Sequence, residues 1–463
     1  MKKTKTFSLI LFVGLLGAVL LAACAQPTPE TIIETVVVTE QVVVTEEVVV
    51  TEEVVVTEVV TEEVKVPANT LVLDSEMFAP PAEQEFFINE ILAPFEEETG
   101  ISVNFSVVAG ADMFDRITVQ QETDHVTTDV ILAFNGRFPW YTDAGFVSSL
   151  DEAADIFEGR TILPAFDATA SVDGTRYFVP ISADVYLTIA NNNALDYLPA
   201  GADVDALTYD QYVEWAVAVA EGEGEGKVCI TGTPQKMYIY QFGTSALSFG
   251  LSPAGGGGAE FPDLNSEASS AAWEKWAAIG AADGFVPTIL SIDNCTDPLM
   301  REEAWLSVTH NARVGQVYAS NETQFTVGPA PRGPSGVGTI AGAHGLGVVE
   351  GTANADAALL LVEYLTRPEV QVKMNKGTGG FVPVVAEAID FLGDDPTDEI
   401  IRKALIVLEQ GVPSYLPVAD FQDWGAVKQL FDDVFVDMIL GGDGTVDQDL
   451  LDAKQAELEA LRN

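Results

Sequence analysis

Apolar and polar residues alternate with two different periods after residue 69, and the alternation predicts strands separated by amphipathic helices. Leu71-Val72-Leu73 reads as a short strand. From Glu85 to Glu98, the apolar residues Phe87, Ile88, Ile91, Leu92 and Phe95 recur at helical spacing, and Gly100 stops the run. Ile101 to Val108 is the next strand, a helix follows around Asp112 to Gln121, and Asp129 to Phe134 is a third strand. A β-α-β-α-β order points to an α/β sheet covered by helices. Such sheets bind ligands at the carboxyl ends of their strands.

Later segments carry helix signals of their own. Thr208-Tyr209-Asp210-Gln211 fits a capping box opening the helix of Tyr212, Val213 and Trp215. Glu221 to Gly226 and Gly255 to Gly258 read as loops. Asp356 to Tyr364 and Glu369 to Asn375 read as helices bracketing a break at Arg367-Pro368, and two amphipathic helices begin at Asp423 and Asp447. Trp273 and Trp276, three apart on a helix, fit a packed face.

Residues 1–69 have another texture. Lys2, Lys3 and Lys5 precede the apolar run Phe7 to Leu21, which is shorter than the roughly 20 residues of a spanning helix and reads as a secretory signal. Leu21-Ala22-Ala23-Cys24 resembles a bacterial lipobox, which implies acylation of Cys24 and a membrane tether. Residues 25–69 follow with Val36 to Gln41, Val42 to Glu47 and Val48 to Glu53 as variants of one six-residue repeat. Extended, this tract would reach about 150 Å. Its valines favour extended backbone and its like charges oppose aggregation. A solvated spacer is the expected reading and a self-associating stalk the alternative.

Composition adds one strong constraint. The chain has 463 residues, with 71 Asp plus Glu against 22 Lys plus Arg and a net charge of -49. Setting aside the three signal lysines and the spacer's ten Glu and one Lys leaves 61 acidic and 18 basic residues in the remainder. That field repels phosphate backbones and argues against nucleic acid as a partner. The only cysteines after Cys24 are Cys229 and Cys295, which invite pairing in an oxidising compartment; two separate buried thiols are the alternative.

Several segments in order resemble the extracellular solute-binding proteins of family 1, the maltose-binding-protein-like receptors of ABC importers. Phe95-Glu96-Glu97-Glu98-Thr99-Gly100-Ile101-Ser102-Val103 is similar to that family's first helix-to-strand passage. Asp129-Val130-Ile131-Leu132, then Arg137-Phe138 and Ala144-Gly145-Phe146-Val147, resembles the strand and ligand loop that follow. Asp173 to Pro180, leading to Asn191-Asn192, resembles the passage into the second lobe, and Ala353 to Tyr364 with Arg367-Pro368-Glu369 and Gly380-Phe381-Val382-Pro383 resembles the late helices.

The resemblance covers nearly all of residues 70–463. It implies a two-lobed α/β fold of the periplasmic-binding-protein type (class II), with a hinge and a ligand cleft between the lobes. Lobe one is expected at 70–182 with 328–384, and lobe two at 183–327 with 385–463. Val179-Pro180 and Val327 to Pro331 are the expected hinge strands. The implied partners are a small solute, a carbohydrate first among them, and the transmembrane subunits of an ABC permease.

The same resemblance assigns candidate contacts position by position. Arg137 stands where the family has a polar sugar-contacting side chain, or else offsets an acidic surface. Asp184 matches a carboxylate that accepts hydroxyl hydrogen bonds, or caps a hinge strand. Tyr240 matches an aromatic that stacks on a sugar ring, or packs beside Tyr238. Asn311 occupies a place where the family often has tryptophan, so it could hydrogen-bond but not stack. Trp140 and Trp424 could supply the missing aromatic surface, while Trp305 falls at a core position. Glu76 and His344 should border the cleft.

Catalysis and cofactors are not expected. His125, His310 and His344 lack metal-ligand spacing, and Gly377-Thr378-Gly379-Gly380 lacks the Lys-Ser/Thr of a phosphate loop. Gly442-Asp443-Gly444 lacks calcium-loop spacing and suits a turn capped by Thr445. A sensory or adhesive lipoprotein is the second reading and a carbohydrate-active hydrolase the third.

Overall fold

The computed structural model describes residues 69–463 apart from 232–236 and 441. The signal segment, Cys24 and the Val/Thr/Glu repeat therefore lie outside the described residues. No helix among the described residues is long and apolar enough to cross a membrane.

Besides the short hairpin of Ser171–Val172 with Thr175–Arg176, the described residues form ten strands: β1 Thr70–Ser75, β2 Ser102–Val107, β3 Val130–Phe134, β4 Val179–Ala183, β5 Tyr186–Asn191, β6 Leu306–His310, β7 Phe325–Pro329, β8 Gly338–Ile340, β9 Ala343–Val348 and β10 Val412–Ser414. The larger sheet has the order β2-β1-β3-β9-β4. Its first three members are parallel, as the β-α-β-α-β reading predicts. Strand β9 arrives late in the chain and runs antiparallel to both β3 and β4, a feature the sequence pattern did not disclose. A second sheet, β6-β5-β7, is wholly antiparallel, and β8 pairs with β10.

The first helix begins earlier than its apolar pattern predicts. It runs from Pro81 to Thr99 with a π-helical stretch over Phe87–Leu92, and Gly100 ends it at a left-handed φ of 72°. Phe87, Ile91 and Phe95 repeat every four residues and are buried against the larger sheet. Ile88 lies about 100° around the helix from Phe87 and is 44% exposed, so it does not share that face. Phe87 stacks on Phe78 at 4.1 Å. Each such side chain contributes about 1.5–3 kcal/mol by leaving water.

The predicted capping box at Thr208 and Gln211 is formed, and the helix it opens spans Tyr209–Glu223. This overruns the loop expected from Glu221, because Gly222 lets the Tyr197 ring lie against the helix. A Cβ there would stand 2.1 Å from that ring. Tyr197 also donates its hydroxyl to Glu223 at 2.6 Å, and the helix stops at Gly224. Trp273 and Trp276 are buried, and Trp273 stacks on Phe242 at 3.8 Å. Asp423 and Asp447 cap the late helices Trp424–Val434 and Gln448–Ala460 as the sequence predicts. At 443–445 the cap belongs to Asp443, whose carboxylate accepts from the Thr445 amide and hydroxyl.

Cys229 and Cys295 are joined by a disulfide with their Cα atoms 5.8 Å apart and a sequence separation of 66. The bridge ties the passage beside β6, where Val228 pairs with Leu306, to the start of the helix Thr296–Met300. A loop of that length contributes roughly 4 kcal/mol in the chain-entropy account. The double variant Cys229→Ser/Cys295→Ser should therefore lose about 3–4 kcal/mol in a denaturant titration, with little change in far-UV circular dichroism of the folded form.

Candidate functional site

Three stretches of chain run side by side next to the larger sheet. The first leaves β4 at Ala183 and joins β5 at Tyr186. The expected hinge at Val179-Pro180 lies instead inside β4, where Pro180 opposes Gly345 on an edge strand that tolerates a missing N–H. The second crosses from β8 to β9 around Gly342. Of the other expected hinge stretch, Val327 to Pro331, the residues Val327 to Pro329 are still paired with β5 in the antiparallel sheet. The third runs through Gly380-Phe381-Val382, between the helices Pro368–Gly377 and Pro396–Gln410.

Hydrogen bonds hold the three passages together. Ala183 and Val382 exchange backbone bonds of 2.8 Å in both directions, and the Asp184 amide donates to Gly342. The Gly342 amide in turn donates to the Asp184 carboxylate at 3.0 Å. Gly342 has no room for a side chain, since a Cβ would stand 2.8 Å from that carboxylate and from the Phe134 ring. Asn311 completes the stitching: its side-chain oxygen accepts from the Val185 amide at 3.0 Å, and its NH2 donates to the Gly380 carbonyl.

This corrects the expectation that Asn311 contacts a solute. The residue is fully buried and its amide is spent on backbone groups from two passages. Removing it would leave those backbone groups unpaired, at about 1–3 kcal/mol for each.

Above the stitching, polar and aromatic side chains converge from both sides. Glu76 follows β1, Arg137 ends the turn Asn135–Arg137 after β3, and His344 on β9 stands opposite Phe134. All three lie at the carboxyl end of the parallel strands, where such sheets place their ligands. Arg137 donates to Glu76 at 2.5 Å, and its guanidinium lies 5.5 Å from the Trp140 ring centre. Trp140 is half-buried and packs against the cores of both sheets.

From the antiparallel sheet, His310 at the end of β6 brings its Nε2 to 3.4 Å from Asp184. His310 Nδ1 accepts from the Ala312 amide. Phe381 of the third passage meets His310 edge-on at 5.1 Å. Tyr240, on the helix Tyr238–Ser248, accepts a hydrogen bond from the Trp424 indole at 3.3 Å. Trp424 is half-exposed, whereas Tyr240 and Tyr238 are both buried in the same core. The turn at Gly136 and the segment at Leu416 touch, since a Cβ on Gly136 would meet the Leu416 carbonyl at 2.2 Å.

Burial sets the electrostatics of this cluster. It pushes the Glu76 carboxyl up to about 7, against the opposing pull of Arg137 and the Phe134 backbone. Burial likewise raises Glu83, with Arg313 and His310 only partly offsetting it. For Asp184, burial disfavours the charge, but His310, His344 and the Gly342 amide outweigh it and hold the carboxyl below its usual value. Burial drives His344 down to about 4, aided by His310 and Arg137 and opposed by Asp184. Three buried polar atoms here, Glu76 Oε1, Arg137 Nε and His344 Nδ1, have no partner.

Of the residues singled out from sequence, Glu76, Arg137, Trp140, Asp184 and His344 gather around one end of the larger sheet, and Tyr240 pairs with Trp424 on the other side. His310, Phe381 and Glu83 were missed. From sequence His310 stands only as a histidine without metal-ligand spacing, although it also closes a strand and caps the next helix. Among the described residues no group of three or more His, Cys, Asp or Glu is placed to hold a metal ion.

Solved structures place this geometry in context. The chain is similar to the GacH receptor of Streptomyces glaucescens, solved unliganded and with acarbose, at 15% identity and a TM-score of 0.64, covering 84% of this chain and 97% of that one. It is similar to maltose-bound MalE3 of T. maritima at 18% identity and a TM-score of 0.64, covering 84% and 99%. It is also similar to UgpB of Mycobacterium tuberculosis, solved with glycerophosphocholine, at 17% identity and a TM-score of 0.64, covering 84% and 98%. At such identities the likeness shows the fold, a two-lobed α/β binding-protein architecture. No curated protein matches the chain. The family model described as bacterial extracellular solute-binding protein matches residues 90–404. With more than half of its length covered by that match, the chain belongs to the bacterial extracellular solute-binding proteins.

Proposed function

We propose that this protein is a membrane-tethered receptor that closes around a small solute, a carbohydrate, and hands it to an ABC import permease. The observation that carries this reading is the convergence, over three hydrogen-bonded passages, of Asp184 and Arg137 with the aromatic surfaces of Trp140, Tyr240 and Trp424. Sugars present hydroxyls that need fixed donors and acceptors and C–H faces that need aromatic surface. Arg137 offers donors, Asp184 is held as an acceptor, and the tyrosine and tryptophans offer rings. Solved relatives of this fold with acarbose and maltose agree with the carbohydrate class.

Closure requires that the solute bind the closed state more tightly than the open one. Groups that converge from two sides, such as Arg137 and Tyr240, provide that difference when one solute touches both. The lipobox at Cys24 supports a lipid anchor, and the repeat that follows supports a spacer between membrane and receptor. Family membership supports an extracytoplasmic location.

A thermal-shift panel of mono- and oligosaccharides, amino acids, polyamines and metal salts tests the solute class. At least one sugar should raise the melting temperature, by several degrees at a hundredfold excess over its Kd. A rise confined to another class would refute the carbohydrate assignment. For a sugar that binds, Trp424→Ala and Tyr240→Phe separate the two parts of the aromatic pair. Trp424→Ala should weaken binding by about tenfold or more, whereas Tyr240→Phe keeps the ring and should cost at most a few-fold, as read by titration calorimetry.

A further inference from the structure

Glu76 and Arg137 form an ion pair that is more constrained than its sequence neighbours require. The carboxylate leaves the end of β1 and the guanidinium comes from the turn after β3, so 61 residues separate the partners. Only Glu76 Oε2 and one terminal nitrogen of Arg137 are engaged; Glu76 Oε1 and Arg137 Nε are buried and unpartnered. The helix Gly110–Glu122 approaches the pair through a glycine. A Cβ on Gly110 would stand 2.7 Å from Arg137 Cζ and Nε and from Glu76 Oε2. The guanidinium also lies over Trp140 and Phe134, with its carbon 5.5 and 6.0 Å from the ring centres. Arg137 is thus clamped between a buried carboxyl and aromatic rings, at the edge of the proposed cleft.

We propose that Glu76 is a positioning residue for Arg137 and that through it solute capture is coupled to release of a proton. As a carboxylate, Glu76 anchors one end of the guanidinium and turns the rest toward the cleft. As the neutral acid it loses the charge that holds the arginine. A solute that needs Arg137 in place therefore favours the carboxylate, and the proton leaves Glu76 for the solvent. The coupling to capture rests on the cleft reading above; the positioning itself does not.

The groups that face the pair shape this equilibrium. Burial opposes the Glu76 charge and places its titration at about 7, while Arg137 and the Phe134 backbone pull the other way. Tyr141, on the helix Phe138–Ala144, lies near enough for Glu76, Arg137 and Asp74 to act on its hydroxyl, which is also buried and unpartnered. His344 on β9, with a value near 4, and Tyr240 across the cleft both sense Arg137, and Asp184 acts on both. Near neutral pH, Tyr141, Tyr240 and His344 are uncharged and Asp184 is ionised, so Glu76 is the member of this set that changes charge there.

The sign follows from the direction of the shift. Glu76 starts high in the free protein and falls when a bound solute holds Arg137 in place, so affinity rises with pH through the interval below about 7. If binding lowers the value by about one pH unit, affinity should be roughly fivefold weaker at pH 5.5 than at pH 7.5.

Two readouts on the full-length protein test the proposal. In the unliganded protein, the carboxyl carbon-13 resonance that disappears in Glu76→Gln should titrate near neutrality, and the Arg137 Nε resonance should move with the same midpoint. Gly110→Ala, which pushes the pair apart without removing a charge, should uncouple the two curves. An Arg137 signal that ignores Glu76 would overturn the positioning role with no ligand involved, and an ordinary carboxylate midpoint would overturn the coupling. Calorimetry with maltotriose in two buffers of different ionisation heat should then show proton release near pH 6.5 that Glu76→Gln abolishes and Glu76→Asp retains in part. Binding without proton release would overturn the coupling. Failure of maltotriose and other sugars to bind, with the two resonances still titrating together, would overturn the carbohydrate reading and leave the positioning role standing.

Discussion

The structure depends on how three chain passages share one set of hydrogen bonds. Asn311 is buried and holds the Val185 amide with one end of its side chain and the Gly380 carbonyl with the other. Asp184 and Gly342 join the first passage to the second, and Ala183 and Val382 join it to the third. A backbone that crosses between two sheets has no ladder to satisfy its polar groups, and unpaired buried groups are costly. The asparagine and the aspartate supply partners where the sheets cannot. Their placement also fixes which side chains face the space above them.

That space combines two opposing demands. The described part of the chain is strongly acidic, yet the carboxyls nearest the passages are buried, and burial penalises their charge. Asp184 keeps its charge because His310 and the Gly342 amide lie against it. Glu76, with Arg137 and the Phe134 backbone only partly offsetting its burial, is left near neutrality. Two carboxyls thus acquire different chemistry from their neighbours, and a strongly acidic chain coexists with a cluster that holds both donors and acceptors.

Much of the fold was legible because it is local. The helical period from Phe87 to Phe95, the stop at Gly100, the capping box at Thr208 and the caps at Asp423 and Asp447 are properties of short windows. What failed depends on distant partners. Strand β9 joins the larger sheet antiparallel after some 200 intervening residues, and nothing in its own pattern announces that direction. Gly222 looked like loop composition until Tyr197 came to lie on it. Asn311 carried the right chemistry for a ligand contact, but distant backbone groups claimed both ends of its amide. His310 was overlooked for the converse reason: its partner Asp184 lies across the first passage and far away in sequence.

The central claim is that a carbohydrate sits between the two lobes, against Trp140 and Arg137 on one side and Tyr240 and Trp424 on the other. A crystal structure of the protein with maltotriose tests it most directly. The account predicts sugar density in that cleft, with a ring against Tyr240 or a tryptophan and a hydroxyl within hydrogen-bond distance of Asp184 or Arg137. Sugar bound on an outer face with the cleft empty would contradict it.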